Sequence, residues 1–369
     1  MQDLMKAAFL YTDQPAHIAI ENVGKPICGN REVLVKTLTC AICGTDGRMY
    51  QGTKDVTKNS VPQYKGYGEG KYIIGHEILG TVEEIGTDIN IPDYNVGDRV
   101  LLVTSVGCEK DTCQPCRAGL FHMCKDNQPV GYYYPGGFAE YMLIQETSVR
   151  QNAIIPVPAD CKIPDEYLVM VEPLSCVING QNYLNIRPGI TVAVVGAGPI
   201  GIMHALRAKS LGAEVILAEY STHRIDIARS FNFDHYIHTA KTDLTKEIME
   251  ITHNKGTDVG ILACSVTEVV KDLFNAMAML GRLSIFGGLP KNNSQLSIDG
   301  NIIHYKEISL HGAFASYRPQ YEQALKEILA GEISMSKIVT HTFALDDIKE
   351  AMDTMLDKEG EALKVVIRP

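Results

Sequence analysis

The chain has 369 residues, 45% of them hydrophobic and 21% charged, which suits two globular domains with separate cores. Its formal net charge of −10 argues against nucleic acid or an anionic membrane as partner, and no apolar run approaches the length of a membrane span. Ten cysteines behind an N-terminus without an apolar signal core point to metal sites or buried thiols in a reducing cytoplasm, not to a disulfide framework.

Residues 5–40 alternate in strand fashion, through Lys6–Leu10, His17–Ile20 and Glu32–Lys36, and Gly24, Pro26 and Gly29 punctuate them. This β-rich opening runs into Cys40-Ala41-Ile42-Cys43-Gly44-Thr45-Asp46. A stretch rich in Lys, Tyr and Gly, Gln51 to Tyr72, comes next, and then Ile73-Ile74-Gly75-His76-Glu77. Strand-like segments are expected from Gly80 to Ile85 and from Asp98 to Val103. One thiol, one imidazole and a carboxylate (Cys43, His76, and Glu77 or Glu172) with a water would make an open, catalytic zinc site. Dispersed as they are, they make a weak signal alone.

Residues 107–125 break the strand pattern. Cys113-x2-Cys116-x7-Cys124, preceded by Cys108, places four thiols within 17 residues. Four sulfurs around zinc form a closed tetrahedral site, so this lobe reads as structural. His122 inside it is a substitute ligand should Cys108 not reach. Gly136-Gly137-Phe138-Ala139-Glu140-Tyr141 then resumes a strand, and a helix-like stretch carries Val171-Glu172-Pro173-Leu174-Ser175-Cys176.

The strongest local signal lies beyond it. Val192–Val195 runs into Gly196-Ala197-Gly198-Pro199-Ile200-Gly201, a helical pattern reaches Gly212, and a second strand ends at Glu219, 18 positions after Gly201. Strand, glycine turn, helix, strand and acid are the parts of a dinucleotide site. Gly196 permits the tight turn, Gly198 removes a Cβ from the path of a pyrophosphate, Gly201 lets helix pack on strand, and the helix N-terminus with Pro199 and Ile200 faces the phosphate. Glu219 would accept bonds from the ribose hydroxyls and repel a 2′-phosphate, favouring NAD over NADP, a preference Arg224 could soften. Strands near 191–196, 214–218, 259–263, 282–287 and 308–313, separated by helical patterns, predict a doubly wound parallel sheet. Amphipathic helices around Gln320–Leu329 and Leu345–Leu356 and a closing strand, Leu363–Ile367, form the tail. The remaining cysteines (Cys28, Cys40, Cys161, Cys176, Cys264) read as buried small hydrophobes, and His204 as structural.

Taken together, Cys43-Gly44-Thr45-Asp46, Gly75-His76-Glu77, the cysteine lobe, Gly136–Tyr141, Glu172-Pro173-Leu174-Ser175 and Gly196–Gly201 resemble the zinc-dependent medium-chain dehydrogenases, the alcohol, sorbitol and threonine dehydrogenase group. The resemblance covers nearly the whole chain. It implies an α/β protein: a GroES-like β-rich catalytic domain over residues 1–184, completed by 317–369, and a Rossmann domain over 185–316. It further implies NAD, two zinc ions per subunit (one catalytic, one structural), a homodimer or homotetramer, and a small alcohol or ketone substrate. Cys43, His76 and a carboxylate would hold the catalytic zinc, Glu77 and Glu172 standing unranked for that place. Thr45 would take the proton of the substrate alcohol. The Glu-Pro-Leu-Ser form looks like the polyol branch, and a threonine-type amino-alcohol dehydrogenase is the alternative within the class. A catalytically silent NAD- and zinc-binding regulator is the alternative outside it, disfavoured by the intact open site. Four departures stand out: Arg48 where a relay histidine is expected, the length between Cys43 and His76, four residues between Cys108 and Cys113 where the family has two, and Phe314-Ala315-Ser316 in place of the sorbitol enzymes' Arg-Tyr pair after Phe. Arginine is a poor proton acceptor, and Arg48 suits instead a carboxylate or phosphate of the substrate or cofactor.

Overall fold

The computed structural model describes residues 3–54, 70–90, 93–357 and 359–369. It divides into two units, Met1–Pro173 with Ser316–Leu329 and Met335–Pro369, and Leu174–Ala315 with Ala330–Ser334. The division falls at 173/174, inside the helix Val171–Gln181, ahead of the expected boundary at 184. Of the Gln51–Tyr72 stretch, residues 55–69 lie outside the described residues.

The first unit is built on Val33–Ala41, a nine-residue strand that is buried along most of its length. A β-branched, apolar run of this kind favours the middle of a sheet over an edge. It pairs antiparallel with Glu77–Ile85, with Tyr141–Ile144 and with the tail strand Lys364–Arg368. Arg99–Leu102 and Ile154–Pro156 extend the sheet on one side and Val339–Ala344 on the other, while Leu4–Tyr11 pairs with Ile18–Gly24 and Lys71–Tyr72 in a separate three-stranded sheet. The register of the central strand decides which side chains meet. Ala41 is paired with Glu77 on one side and with Val366 on the other, so Cys43, Glu77 and the tail's Lys364 share one end of the sheet.

The second unit holds six parallel strands in the order His235–His238, Glu214–Glu219, Thr191–Val195, Thr257–Leu262, Met277–Ile285 and Ser309–Gly312. In sequence rank this is 3-2-1-4-5-6, the Rossmann arrangement. Five of these strands are expected from the sequence. The sixth, His235-Tyr236-Ile237-His238, escapes the sequence pattern because it is a short edge strand with one fully buried side chain, Ile237. Two further boundaries differ. The strand after the Gly136-Gly137 motif begins only at Tyr141, and the helix expected from Leu345 opens with a 3-10 turn, Leu345–Asp347, before Ile348–Leu356. Of the five cysteines expected to be buried, only Cys40 is fully so. Cys28, Cys161, Cys176 and Cys264 are half-buried, and the Cys28 thiol donates to the carbonyl of Glu32 at 3.2 Å rather than packing as a hydrophobe. His204 is fully buried, with Gln181 Nε2 at 3.2 Å from its Nδ1. No helix among the described residues is long and apolar enough to cross a membrane.

Candidate active site

Cys43 ends the chain's exit from the central strand and stands immediately before the helix Gly44–Tyr50. Its backbone N–H donates to Asp46 Oδ2 at 2.8 Å, which ties the turn to the helix it starts. Asp46 is fully buried, and its other oxygen lies 3.3 Å from His76 Nδ1, at ion-pair distance but out of line for a hydrogen bond. His76 is placed by Gly75, whose φ of +96° only glycine adopts freely and whose missing Cβ would strike Cys40 Sγ at 2.8 Å. The Gly136-Gly137 pair packs on this same segment, donating its N–H groups to the carbonyls of Ile73 and Gly75 at 2.8 and 2.9 Å.

The structure thereby brings Cys43, His76 and Glu77 together, with one ligand atom from each inside 4.8 Å. Burial opposes a charge on His76, yet the groups around it, Tyr132, Asp46 and Cys43, outweigh burial and raise its pKa well above the usual imidazole value. Surroundings that favour a proton there favour any cation, and a thiol, an imidazole and a carboxylate with one position open fit zinc. Glu77 is 1% exposed, and the 5%-exposed Lys364 donates to it at 2.5 Å. Glu172 lies outside the compact group, although its charge reaches Lys364. Arg48 Nη2 donates to Thr45 Oγ1 at 2.9 Å. The Tyr132 hydroxyl stands 3.4 Å from His76 Nε2, and burial chiefly pushes its pKa up.

The cysteine lobe is a second cluster. Cys108, Cys113, Cys116 and Cys124 hold their sulfurs within 4.8 Å of one another, with Cys108–Cys116 at 3.9 Å and Cys113–Cys124 at 3.8 Å. Sulfurs tetrahedral about zinc at about 2.3 Å are separated by about 3.8 Å, whereas a disulfide would bring two to about 2.0 Å. Glu109, at φ 54°, makes the left-handed bend that lets Cys108 close the set across its longer spacing. Backbone N–H donation at Lys110 lowers the Cys108 pKa, while burial raises that of Cys124 and pushes Cys116 up to about 12. Four thiolates this close repel unless a cation sits among them. His122 is not one of the group; it stacks on Tyr317 at 5.1 Å.

In the second unit the glycine turn has its expected geometry. Gly196 has φ +111°, and a Cβ on Gly201 would come within 1.8 Å of the Gly196 carbonyl oxygen. Gly198 differs: its φ is −76°, and its absent Cβ would point into open space. Nothing among the described residues requires glycine there, whereas a pyrophosphate approaching the first turn of the helix Pro199–Ser210 would. The Gly198→Ala variant is therefore expected to keep the wild-type melting temperature while raising the cofactor KM by about tenfold or more, since each 1.4 kcal/mol of lost binding is tenfold. Thermal scans beside cofactor titrations check this, and an unchanged KM would sink it. Glu219 ends its strand with the carboxylate held by three backbone N–H groups, Ala197 at 2.7 Å, Tyr220 at 2.7 Å and Ser221 at 2.9 Å. Arg224 is half-buried, two residues into the helix Thr222–Arg229.

Residues 29–158 match the alcohol dehydrogenase GroES-like domain, and residues 199–330 match the zinc-binding dehydrogenase domain. An L-threonine 3-dehydrogenase of Rhizobium etli is 32% identical, over 100% of this chain and 99% of its own. The chain belongs to the zinc-dependent medium-chain dehydrogenase family. Among solved structures, the 2R,3R-butanediol dehydrogenase of Bacillus subtilis is 26% identical with a TM-score of 0.85, covering 99% of both chains. A Sinorhizobium meliloti protein described as a zinc-binding dehydrogenase and solved with NADP gives 26% and 0.85, over 100% of both. As a family member the protein is an oxidoreductase of the zinc-dependent alcohol dehydrogenase type, with zinc and a nicotinamide dinucleotide as its cofactors.

Three residues of this dehydrogenase site do not stand out in the sequence. Asp46 stands in the Cys43-Gly44-Thr45-Asp46 motif, but its full burial at ion-pair distance from His76 Nδ1 is set by the fold, and a carboxylate so placed is suited to orient that imidazole. Tyr132 and Lys364 carry no local signal, because strand register and loop packing bring them in from 56 and 287 residues away.

Proposed function

We propose that this dehydrogenase oxidises the secondary alcohol of an L-threonine-type amino acid, with NAD as hydride acceptor. The full-length similarity to the Rhizobium etli enzyme carries this reading, which sets the amino-alcohol alternative ahead of the polyol. Zinc, when bound, would acidify the substrate alcohol, and the nicotinamide would take the hydride. Cys43, His76 and Glu77 would hold the catalytic zinc, with Glu172 as the exchange partner outside the group. Asp46 on Nδ1 leaves His76 Nε2 to face the ligand. Thr45 Oγ1 would relay the alcohol proton, taking it while releasing its own hydroxyl proton to solvent; Arg48, which donates to that oxygen, stays protonated and so positions Thr45 without accepting from it. Cys108, Cys113, Cys116 and Cys124 would hold the structural zinc, a thiol set suited to a reducing cytoplasm. Gly196, Gly198, Pro199, Ile200 and Gly201 would cradle the pyrophosphate. Glu219 supports NAD over NADP by repulsion of a 2′-phosphate, with Arg224 the group nearest in sequence to soften it. The outer edge strand Ser309–Gly312, with Leu310 exposed, supports a homo-oligomer.

A second reading, a neutral vicinal diol, rests on the Bacillus subtilis neighbour. The test is NADH formation from L-threonine, (2R,3R)-butanediol, polyols, cyclitols and sugar phosphates, with and without chelator. Chelator-sensitive turnover with kcat/KM for L-threonine about tenfold or more above the diol is expected, equivalent to about 1.4 kcal/mol. A preference for the diol or a polyol overturns the amino-acid reading, and a protein that binds NAD and zinc but turns over nothing is the silent regulator.

A further inference from the structure

We infer that Lys54, with Arg48, forms a two-cation anchor that selects substrates bearing an oxyanion, a carboxylate or a phosphate, beside the reacting alcohol. This deepens the proposed function and rests on its placement of the metal site at Cys43, His76 and Glu77. The backbone of Lys54 is fixed by the turn that closes the helix Gly44–Tyr50: the N–H groups of Thr53 and Lys54 both donate to the Arg48 carbonyl, at 2.9 and 3.0 Å, and Thr53 Oγ1 donates to it at 3.0 Å. From there the Lys54 side chain turns inward, and its Nζ lies 4.4 Å above the Tyr132 ring. The same tyrosine presents its hydroxyl at 3.4 Å to His76 Nε2. Arg48, itself exposed, is tied to the site through Thr45 Oγ1. Both cations therefore stand within one side chain of the residues placed around the substrate alcohol.

Neither cation forms an ion pair with a carboxylate among the described residues. The oxygens of Asp46 face the Cys43 N–H and His76, and Glu77 is held by Lys364. Lys54 is half-buried beside a like charge, and burial first and Arg48 second disfavour its ammonium, with Asp46 and Cys43 pulling the other way. Zinc held by Cys43 would offset that counter-pull. Half-buried Lys54 and exposed Arg48 are neighbouring cations without a carboxylate ion pair among the described residues, an arrangement that an incoming oxyanion completes, with Arg48 still offering the other donors of its planar fork. A neutral diol gains nothing from them. The cation–π contact alone accounts for where Lys54 rests, not for a second cation close enough to act on it and without a carboxylate ion pair among the described residues.

The experiment compares wild type, Lys54→Met and Lys54→Arg as zinc-loaded enzymes with NAD. The ratio of kcat/KM for L-threonine to that for (2R,3R)-butanediol is expected to fall ten- to a hundredfold in Lys54→Met, through KM, and to recover most of that in Lys54→Arg. L-threonine amide should show no such fall. A loss shared equally by anionic and neutral substrates, or no loss, overturns the anchor. If wild type instead prefers a sugar phosphate, the amino-acid reading fails and the anchor stands, with phosphate as its oxyanion. Should no substrate turn over, the 31P linewidth of inorganic phosphate decides: broadening by wild type that disappears in Lys54→Met and in Arg48→Leu supports the anchor, and equal broadening by all three overturns it.

Discussion

Replacing Lys364 with methionine is expected to destabilise the metal-free protein by about 3–5 kcal/mol, the cost of leaving a buried charge without its partner. Glu77 is 1% exposed and Lys364 5%, with 2.5 Å between them, so no solvent screens what remains. Methionine keeps the length of the stem and removes only the charge and its donors, which isolates the ion pair from packing. Burial disfavours the Lys364 ammonium, but Glu77, Cys43 and Glu172 outweigh it and raise its pKa above the ordinary 10.5. A raised folded-state pKa contributes stability that is complete below pH 10.5 and is lost as pH climbs through the folded value, so denaturant titrations at neutral pH capture the whole effect. Zinc gives the deciding comparison. If Glu77 is a ligand, metal compensates its charge and the penalty shrinks in the zinc-loaded enzyme. A penalty of the same size with and without zinc would remove Glu77 from the ligand set and leave the carboxylate's place to Glu172.

Function is legible in this chain wherever it needs residues that are close in sequence. The glycine turn and its acid lie within one strand–helix–strand unit, so the roles proposed for Gly196, Gly198, Gly201 and Glu219 follow from spacing alone. The cysteine lobe is equally local. The edge strand His235–His238 is not legible, because four residues with a single fully buried side chain carry no period. The ranking of Glu77 against Glu172 is hidden for a different reason. Both are acids next to recognisable motifs, and what separates them is the pairing of Ala41 with Glu77 and Val366, which brings a lysine from the far end of the chain against one of them. Lys54 is hidden in a stretch rich in Lys, Tyr and Gly, where nothing in the sequence sets it apart from its neighbours, and only its place over Tyr132 marks it.

Removing one thiol of the lobe, in Cys108→Ser, is expected to cost about 4–5 kcal/mol or more and to lower bound zinc from two ions per chain to one, the scale at which loss of a metal stands apart from ordinary substitutions. Two sulfur pairs are already at tetrahedral separation and all four sulfurs lie within 4.8 Å of one another, so binding requires little rearrangement and most of its free energy becomes folding free energy. Without the metal, ionising them all is prevented by mutual repulsion and burial, and the Cys116 thiol is held up to about 12. His122→Ala is the contrast within the same lobe: it removes a stacked ring beside Tyr317 but no member of the sulfur group, so zinc content should stay at two while stability falls only by the lost packing. Metal analysis beside urea titrations separates the outcomes. Two zinc ions retained in Cys108→Ser would mean that the left-handed bend at Glu109 brings the thiol near the group without making it a ligand.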